Sequence, residues 1–318
     1  MKQEIENLLE RVKSEAKPTY TSGGGSDLVV YYGDQQVDRF TFLIIRMMRE
    51  VLVKNLREAK IPGITEIQGF GNTLHVMFDP SRIRFEDLIT EVKKIEEKTE
   101  DPETWSADVR LFEIPVWFND PWSMECYLAL RDKHQIKDGS RSNFEYVAQL
   151  NGWSNEEFIE KVCTPLYRGG RDSLVWSVHS GQMLEREEKN IPRISNWPQS
   201  RPWTPPRTVG IGAGSLVIYP YLVGGGFQMI GSTPVPVSAI ELPPEERKTA
   251  KILEALKEMD SLMGPRDLMR VVSIGKEAYE EIRAKVVEGS YEYKVKPVRW
   301  ETTRWLEDPE GYVRTFTF

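Results

Sequence analysis

The sequence has 318 residues, of which 40% are hydrophobic and 29% are charged, and its formal net charge at pH 7 is −7. This composition is typical of a globular protein that is long enough for two domains with sizeable cores. The acidic balance argues against nucleic acid or an anionic membrane as the main partner. Because no apolar run approaches the roughly 18 residues of a membrane span and the two cysteines suit a reducing compartment, we expect a cytoplasmic protein.

The first 106 residues predict a helix, a linker and a small domain. Apolar residues recur at helical spacing between residues 3 and 17, and the proline and glycine residues of 18–26 predict a flexible linker. A strand at 28–32, a helix over 37–60, strands at 64–67 and 73–78, and a helix around 85–95 follow. We therefore assign 1–26 to the helix and linker and 27–106 to a two-layer α+β domain. The first helix is expected to pack on its own domain rather than on a partner.

The second predicted domain covers residues 107–298. Its elements are a strand at 112–118, helices at 143–150 and 154–162, long loops with short strands over 163–208, a helix from 243 to about 263, a strand at 270–274, a helix at 276–287 and a last strand at 291–295. Residues 299–318 form a tail rich in aromatic side chains. A free tail of this kind would expose an unusually large apolar surface, so it must cover its own chain or a partner, and we favour the second domain.

The most informative stretch reads VGIGAGSLVIYP at 209–220 and GGGFQMIG at 224–231. It predicts strands joined by a glycine turn, and at least one of Gly225 and Gly226 is expected to have a positive φ. A dinucleotide fingerprint is excluded because the third glycine comes one position early, strand formers follow, and the next acid, Glu241, is too distant. The sequence also lacks a phosphate-binding G-x-x-x-x-G-K-[ST] loop.

These two blocks resemble the carboxyltransferase subunit 1 family, whose pattern is V-G-I-G…Y-P…P-G-G-W-Q-L-I-G with the same spacing. Its members include allophanate hydrolase subunit 1, a small 5-oxoprolinase subunit, the matching part of urea carboxylase, and the Kip inhibitor of a sporulation kinase. The segments PGI at 62–64 and LHVMFDP at 74–80 resemble the start of the family. The resemblance implies a cyclophilin-like β-barrel for the second domain. The extended termini make the epsilon subunit of acetophenone-carboxylase-type enzymes a further candidate branch.

The resemblance also implies a ligand cleft, and this chain departs from two of its three motifs. Cys163 and Thr164 stand at the family's His-Ser pair, and residues 172–184 lack its proline-phenylalanine loop. Cys163 follows a predicted helix, at the end that disfavours a thiolate, so an inert buried cysteine is the simpler interpretation. The competing interpretation is a nucleophile served by His179. Gln228 stands where the family has glutamine after its glycine turn.

Arginines are dense in the loops of this acidic chain, and Arg201 and Arg207 lie closest to the glycine-rich stretch. Guanidinium groups bind carboxylate or phosphate at two points, which suits the ligands of the family's enzymes, but ordinary surface ion pairing explains them equally well. Three separated histidines and two cysteines predict no metal site. The candidate cleft residues are therefore Cys163, Thr164, His179, Arg201, Arg207, Gly225, Gly226 and Gln228.

The resemblance implies an accessory subunit of an ATP-dependent carboxylase or of an amide or lactam hydrolase. Its partners would be a subunit 2 homologue or larger subunits that use ATP, and its substrate a small carboxylate or amide. The chain alone is expected to bind no cofactor, and it has no Met-Lys-Met type site for biotin. The alternative hypothesis is a non-catalytic regulator that resembles the Kip inhibitor of a histidine kinase.

Overall fold

A computed structural model describes residues 2–33, 38–99, 102–131, 139–169, 179–194, 201–212, 214–238, 262–264 and 266–318. The chain divides into two compact units. Residues 1–108 and 299–312 belong to the first unit, and most of 109–298 together with 313–318 belongs to the second. The predicted helix at 243–263 falls almost entirely outside the described residues. In the described ranges no helix is both long enough and apolar enough to span a bilayer.

The first unit contains a four-stranded sheet in the order β1-β2-β4-β3. Its strands are β1 (Pro18–Ser22), β2 (Asp27–Tyr32), β3 (Ile64–Phe70) and β4 (Thr73–Phe78), and its helices are α1 (Lys2–Glu15), α2 (Arg39–Ala59) and α3 (Phe85–Thr99). The prediction of a flexible linker is wrong at its start, because β1 pairs antiparallel with β2 along its whole length. Residues 23–26 form the turn between them, with Gly24 and Gly25 at positive φ.

The core of this unit follows from the alternation of its strands. Every second residue of β2 and β4 is buried, including Leu28, Val30, Leu74 and Val76, and the apolar side of α2 is buried as well. Asp38 caps the N-terminus of α2 by accepting hydrogen bonds from two backbone N–H groups. The side chains of Val12 in α1 and of Ala16, which directly follows α1, are buried, and α1 contacts α2.

The second unit is built around a ring-like sheet. Its elements are β5 (Ala107–Phe118), α4 (Pro121–Arg131), α5 (Asn143–Leu150), α6 (Asn155–Cys163), β6 (Tyr167–Gly169), β7 (His179–Met183), β8 (Arg201–Thr204), β9 (Thr208–Gly212), β10 (Ser215–Ile218), β11 (Val223–Gly225), β12 (Gln228–Ser232), β13 (Leu268–Ser273), α7 (Lys276–Glu288) and β14 (Val295–Trp300).

The strand order is β12-β9-β10-β7-β6-β13-β5-β14, and β12 also pairs with β5, which closes the ring. β13 runs parallel to β5, and β8 and β11 form a separate pair. The chain thus has a mixed α/β fold, and the cyclophilin-like barrel remains a prediction. The last strand was predicted at 291–295 but lies at 295–300. Tyr293 precedes it and donates a hydrogen bond to the Pro236 carbonyl instead of joining the sheet.

The aromatic tail continues from β14 into two short helices, α8 (Thr302–Glu307) and α9 (Pro309–Arg314). Trp300 and Trp305 are fully buried in the first unit, where the Trp305 ring lies 5.0 Å from the ring of Phe40 in α2. The expectation that the tail covers the second domain is therefore wrong for residues 299–312. It holds for the last residues, because Arg270 of β13 donates hydrogen bonds to the carbonyls of Val313 and Phe316.

Candidate functional site

The glycine-rich stretch turns at Gly214 and not at its three consecutive glycines. β9 and β10 form an antiparallel hairpin that turns at Gly214, whose φ is 69°. Gly225 instead belongs to β11, where it pairs with Arg201 of β8. The prediction of a positive φ at Gly225 or Gly226 is wrong, because neither residue adopts the left-handed conformation.

Glycine is needed at position 225 because two side chains lie close to its Cα atom, and not because of its backbone angle. A Cβ atom at this position would lie 2.5 Å from the Tyr219 hydroxyl and 2.9 Å from Nη2 of Arg201. Both contacts are shorter than non-bonded atoms tolerate. The bare backbone of β11 therefore covers the ends of these two side chains, and β11 itself is partly exposed.

Arg201 is the centre of this part of the site. Its side chain is 0% exposed, its Nε donates to Oγ1 of Thr204 at 3.1 Å, and its Nη1 donates to the Phe227 carbonyl at 2.6 Å. The guanidinium lies 5.6 Å from the centre of the Tyr219 ring. Burial lowers the pKa of this guanidinium. No carboxylate pairs with it, and its Nη2 has no well-aligned acceptor in the part of the chain that the structure describes.

A buried guanidinium without a counter-ion is unfavourable unless something else compensates its charge. The neighbouring Cys126 of α4 does not supply that compensation, because burial raises the pKa of its thiol to about 11. Nη2 of Arg201 therefore lies in a buried, low-dielectric environment beside the Tyr219 hydroxyl, and it has no well-aligned acceptor among the described residues. Chemically, this arrangement suits the oxygen of a carboxylate or of another small oxyanion.

A second polar group lies at the N-terminus of α4. The carboxylate of Asp120 is 0% exposed, and its Oδ1 accepts hydrogen bonds from the backbone N–H groups of Trp122 and Ser123. Its Oδ2 is buried and has no donor among the described residues, and the same is true of Oδ1 of Asn119. Asn119 adopts a φ of 54°. Burial raises the pKa of the Asp120 carboxyl, against the hydrogen bonds from Ser123 that lower it.

Gln228 takes part in a buried amide pair with Asn143. Its Oε1 accepts a hydrogen bond of 2.5 Å from Nδ2 of Asn143, the first residue of α5, and both side chains are buried. Gln228 begins β12, the strand on which α4 and α5 both pack. Its role in the structure is thus to orient Asn143 and to hold α5 against the sheet.

The other predicted site residues lie apart from this group or outside what is described. Cys163 ends α6, and the Thr164 carbonyl accepts a hydrogen bond from Arg270 of β13. Burial raises the pKa of the Cys163 thiol to about 12, which agrees with an inert cysteine. His179 begins β7, where its backbone pairs opposite Ile218.

Arg207 lies at the turn between β8 and β9, with a φ of 66°. Its Nη1 donates to the Pro234 carbonyl at 3.2 Å, and its backbone carbonyl accepts from Thr233. The guanidinium also acts on Tyr279, since it opposes the burial that raises the pKa of that phenol. Arg207 therefore fixes the turn before the glycine-rich stretch instead of presenting a free charge.

The sequence interpretation missed Asn119, Asp120, Tyr219 and Asn143. A signal was present at two of these positions. Asp120 precedes Pro121, a residue favoured at the first position of a helix, and Ser142 with Asn143 opens α5 in the same way. Both patterns predict where a helix begins, but they do not show which helix N-termini lie close together in the fold.

Gly225→Val is expected to destabilise the second unit, because its side chain must displace Arg201 and Tyr219 from beneath β11. We expect a loss of about 2–3 kcal/mol in the free energy of unfolding, measured by urea titration. Gly224→Val is the matched control, since Gly224 is exposed in the same strand. Equal stability of the two variants would contradict the close packing described here.

Two solved structures share the fold of this chain. The urea carboxylase of Kluyveromyces lactis matches with a TM-score of 0.72 at 19% identity, over 94% of this chain and 25% of that one. The urea amidolyase of K. lactis matches with the same TM-score at 20% identity, over 95% of this chain and 17% of that one. The chain thus has the fold found in part of these two larger proteins.

Residues 18–245 match the family model described as carboxyltransferase domain, subdomain C and D. The chain belongs to this family. The urea amidolyase of Saccharomyces cerevisiae is 21% identical over 307 residues, and the putative urea carboxylase of Emericella nidulans is 22% identical over 306 residues. The chain spans only 16% and 24% of the length of these two relatives.

Proposed function

We propose that this chain is the carboxyltransferase component of an ATP-dependent carboxylase that carboxylates a small amide. The observation that carries the proposal is a set of buried donors and acceptors at one helix that have no well-aligned partner among the described residues. Buried acceptors, Asn119 Oδ1 and Asp120 Oδ2, lie at the N-terminus of α4, and a buried donor, Nη2 of Arg201, lies beside Cys126 further along it. Six residues of helix separate Asp120 from Cys126, which is about 9 Å.

Carboxyl transfer to an amide needs both a proton acceptor and a donor that binds negatively charged oxygens. The amide nitrogen attacks the carbon of the carboxyl group, a new N–C bond forms, and the bond between that carbon and the donor breaks. The amide loses a proton, which the Asp120 carboxylate accepts, and the donor takes up a proton in its place. Arg201 binds the negatively charged oxygens of the carboxyl group during its transfer. This interaction is strong because the surroundings of Arg201 exclude water.

The proposal is supported by the activities that the names of the relatives state and by the small part of each relative that this chain matches. Two are urea amidolyases and one is a putative urea carboxylase, and this chain is similar to a minor part of each. We infer that the present chain works with other domains or subunits in the cytoplasm, and that those partners bind and use ATP. The site we propose contains Arg201, Gly225 and Gln228 together with Asp120, and Cys163 and Thr164 stay outside it.

The isolated chain is expected to hydrolyse no ATP above background and to carboxylate no amide on its own. The reason is that it has no phosphate-binding loop and lacks a carrier site for the carboxyl group. Phosphate release by the purified chain measures this directly. ATPase activity that follows the chain through repeated purification would contradict the inference that partner domains or subunits bind and use the ATP.

The proposal itself is tested with the chain purified together with its natural partners. The assay is ATP-dependent incorporation of labelled bicarbonate into urea and into other small amides. Asp120→Asn keeps the cap of α4 but removes the proton acceptor, so we expect incorporation to fall at least about 100-fold. Glu125→Gln on the same helix is the matched control, because Glu125 is exposed. A complex with a histidine kinase and no incorporation would instead support the regulator.

A further inference from the structure

Asn143, the first residue of α5, has a side-chain oxygen that is buried and has no hydrogen-bond donor among the described residues. The residue is 1% exposed, and its Nδ2 donates a hydrogen bond of 2.5 Å to Oε1 of Gln228. Because the oxygen and the nitrogen of a carboxamide point in different directions from one carbon, this bond turns Oδ1 away from Gln228. A buried acceptor without a donor is unfavourable, so this position favours a ligand that supplies an N–H group.

Asn143 and Arg201 are bound by two consecutive residues of the chain. The Phe227 carbonyl accepts a hydrogen bond of 2.6 Å from Nη1 of Arg201, and the next residue, Gln228, binds Asn143. Consecutive Cα atoms are about 3.8 Å apart. The buried oxygen of Asn143 and the guanidinium of Arg201 therefore belong to side chains that are anchored at neighbouring points.

An aromatic contact links Asn143 to Asp120 as well. The ring centres of Phe118 and Phe144 lie 6.0 Å apart. Asp120 comes two residues after Phe118, and Asn143 directly precedes Phe144. The helices that begin at these positions, α4 and α5, also contact each other. The segments that carry Asp120 and Asn143 thus pack together in the second unit.

The transfer step proposed above involves a second hydrogen on the amide nitrogen. A primary amide carries two hydrogens there, of which Asp120 accepts one. The other stays in the product as an N–H group between the carbonyl carbon and the new carboxyl group. In surroundings that exclude water this N–H group needs an acceptor. Arg201 does not supply one, because a guanidinium has only donors, whereas Oδ1 of Asn143 is an acceptor.

We propose that Asn143 determines which amides this site carboxylates, because its Oδ1 accepts the hydrogen that stays on the nitrogen, and that the substrates are primary amides. This assignment rests on the carboxyl transfer proposed above. A secondary amide such as N-methylacetamide still has a proton for Asp120, but a methyl group replaces its second hydrogen. The methyl group would lie against Oδ1 of Asn143 and leave that oxygen without a donor. Polar sites discriminate strongly against substrates that lack the group they bind.

The test compares matched amides in the assembled complex by incorporation of labelled bicarbonate. Acetamide and urea are the primary amides, and N-methylacetamide and N,N′-dimethylurea are their methylated counterparts. We expect kcat/KM to be at least about 100-fold lower for each methylated amide. A smaller preference overturns the role of Asn143 and does not affect the proposed carboxyl transfer. Incorporation into none of the four amides overturns the carboxyl transfer and the role of Asn143 with it.

Two variants show whether the preference comes from Asn143. Asn143→Ala removes Oδ1 and leaves room for a methyl group, so the preference for acetamide over N-methylacetamide should fall at least about tenfold. Asn143→Asp keeps an oxygen at this position and should keep the preference. Asn155→Ala is the matched control and should leave the preference unchanged. Asn155 is also the first residue of a helix after a serine cap, but it is exposed.

Melting temperature and complex formation are measured for each variant to separate selectivity from folding. If Asn143→Ala does not fold, the substrate comparison in the unmodified complex and in Asn143→Asp decides. The proposal is overturned if the unmodified complex uses the methylated amides as well as the primary ones. It is also overturned if a folded Asn143→Ala complex keeps the full preference.

Discussion

Trp305→Ala is expected to lower the free energy of unfolding by about 3–5 kcal/mol, the usual cost of truncating a fully buried aromatic side chain. Trp305 is 0% exposed and packs against Phe40 at 5.0 Å and Trp300 at 6.0 Å. Its removal leaves a cavity where the tail joins α2. In a thermal melt the change corresponds to a decrease of roughly 10 °C or more.

Trp305→Phe is the control that separates packing from hydrogen bonding. The indole Nε1 is buried without an acceptor in the part of the chain that the structure describes, so its loss removes no bond. The phenylalanine variant should therefore retain most of the stability. An unchanged melt for Trp305→Ala, together with loss of complex formation, would show that the tail binds a partner instead of the first unit.

Arg201→Met is expected to reduce labelled bicarbonate incorporation by the assembled complex by about 100-fold or more. Loss of a preorganised donor to a developing oxyanion has an effect of this size. Arg201→Lys keeps the positive charge but loses the planar guanidinium with its several N–H donors. We therefore expect this variant to retain more activity than Arg201→Met but less than the unmodified protein. Measuring complex formation and melting temperature for both variants separates a loss of chemistry from a loss of folding.

Arg84→Met, at an exposed position, is the matched control for the lost positive charge. It should leave incorporation unchanged. Full activity of Arg201→Met would contradict the role of this side chain in the site, and its hydrogen bonds to Thr204 and Phe227 would then be its whole function.

Most of the regular elements of the first unit could be predicted from the sequence, because their signals are local. The apolar period of α2 and the alternation in β4 give bounds close to the observed ones. β1 was missed because a five-residue strand with a proline has no periodicity of its own. Its structure depends on pairing with β2, which lies on the other side of the glycine turn.

The candidate site was predicted only in part, for the same reason. Arg201, Gly225 and Gln228 were singled out and do lie around β11 and β12, near α4 and α5. Cys163 and Thr164 were included because of their place in a motif, but their contacts are with β13. Asp120 carried only the pattern of a helix cap, and its unused oxygen depends on burial by residues distant in sequence.

The sequence by itself determined the carboxyltransferase-type family, the elements with strong periodicity and the importance of the glycine-rich stretch; the subunit 1 branch stays a prediction. Each of these rests on residues close together in the chain. Only the tertiary structure decided that a side chain at position 225 would clash with Tyr219 and Arg201, that the buried Arg201 pairs with no carboxylate of the described residues, and that the aromatic tail packs against α2. These are properties of burial and of contact between distant segments. Local sequence does not encode them, because it leaves open which segments come to share one core.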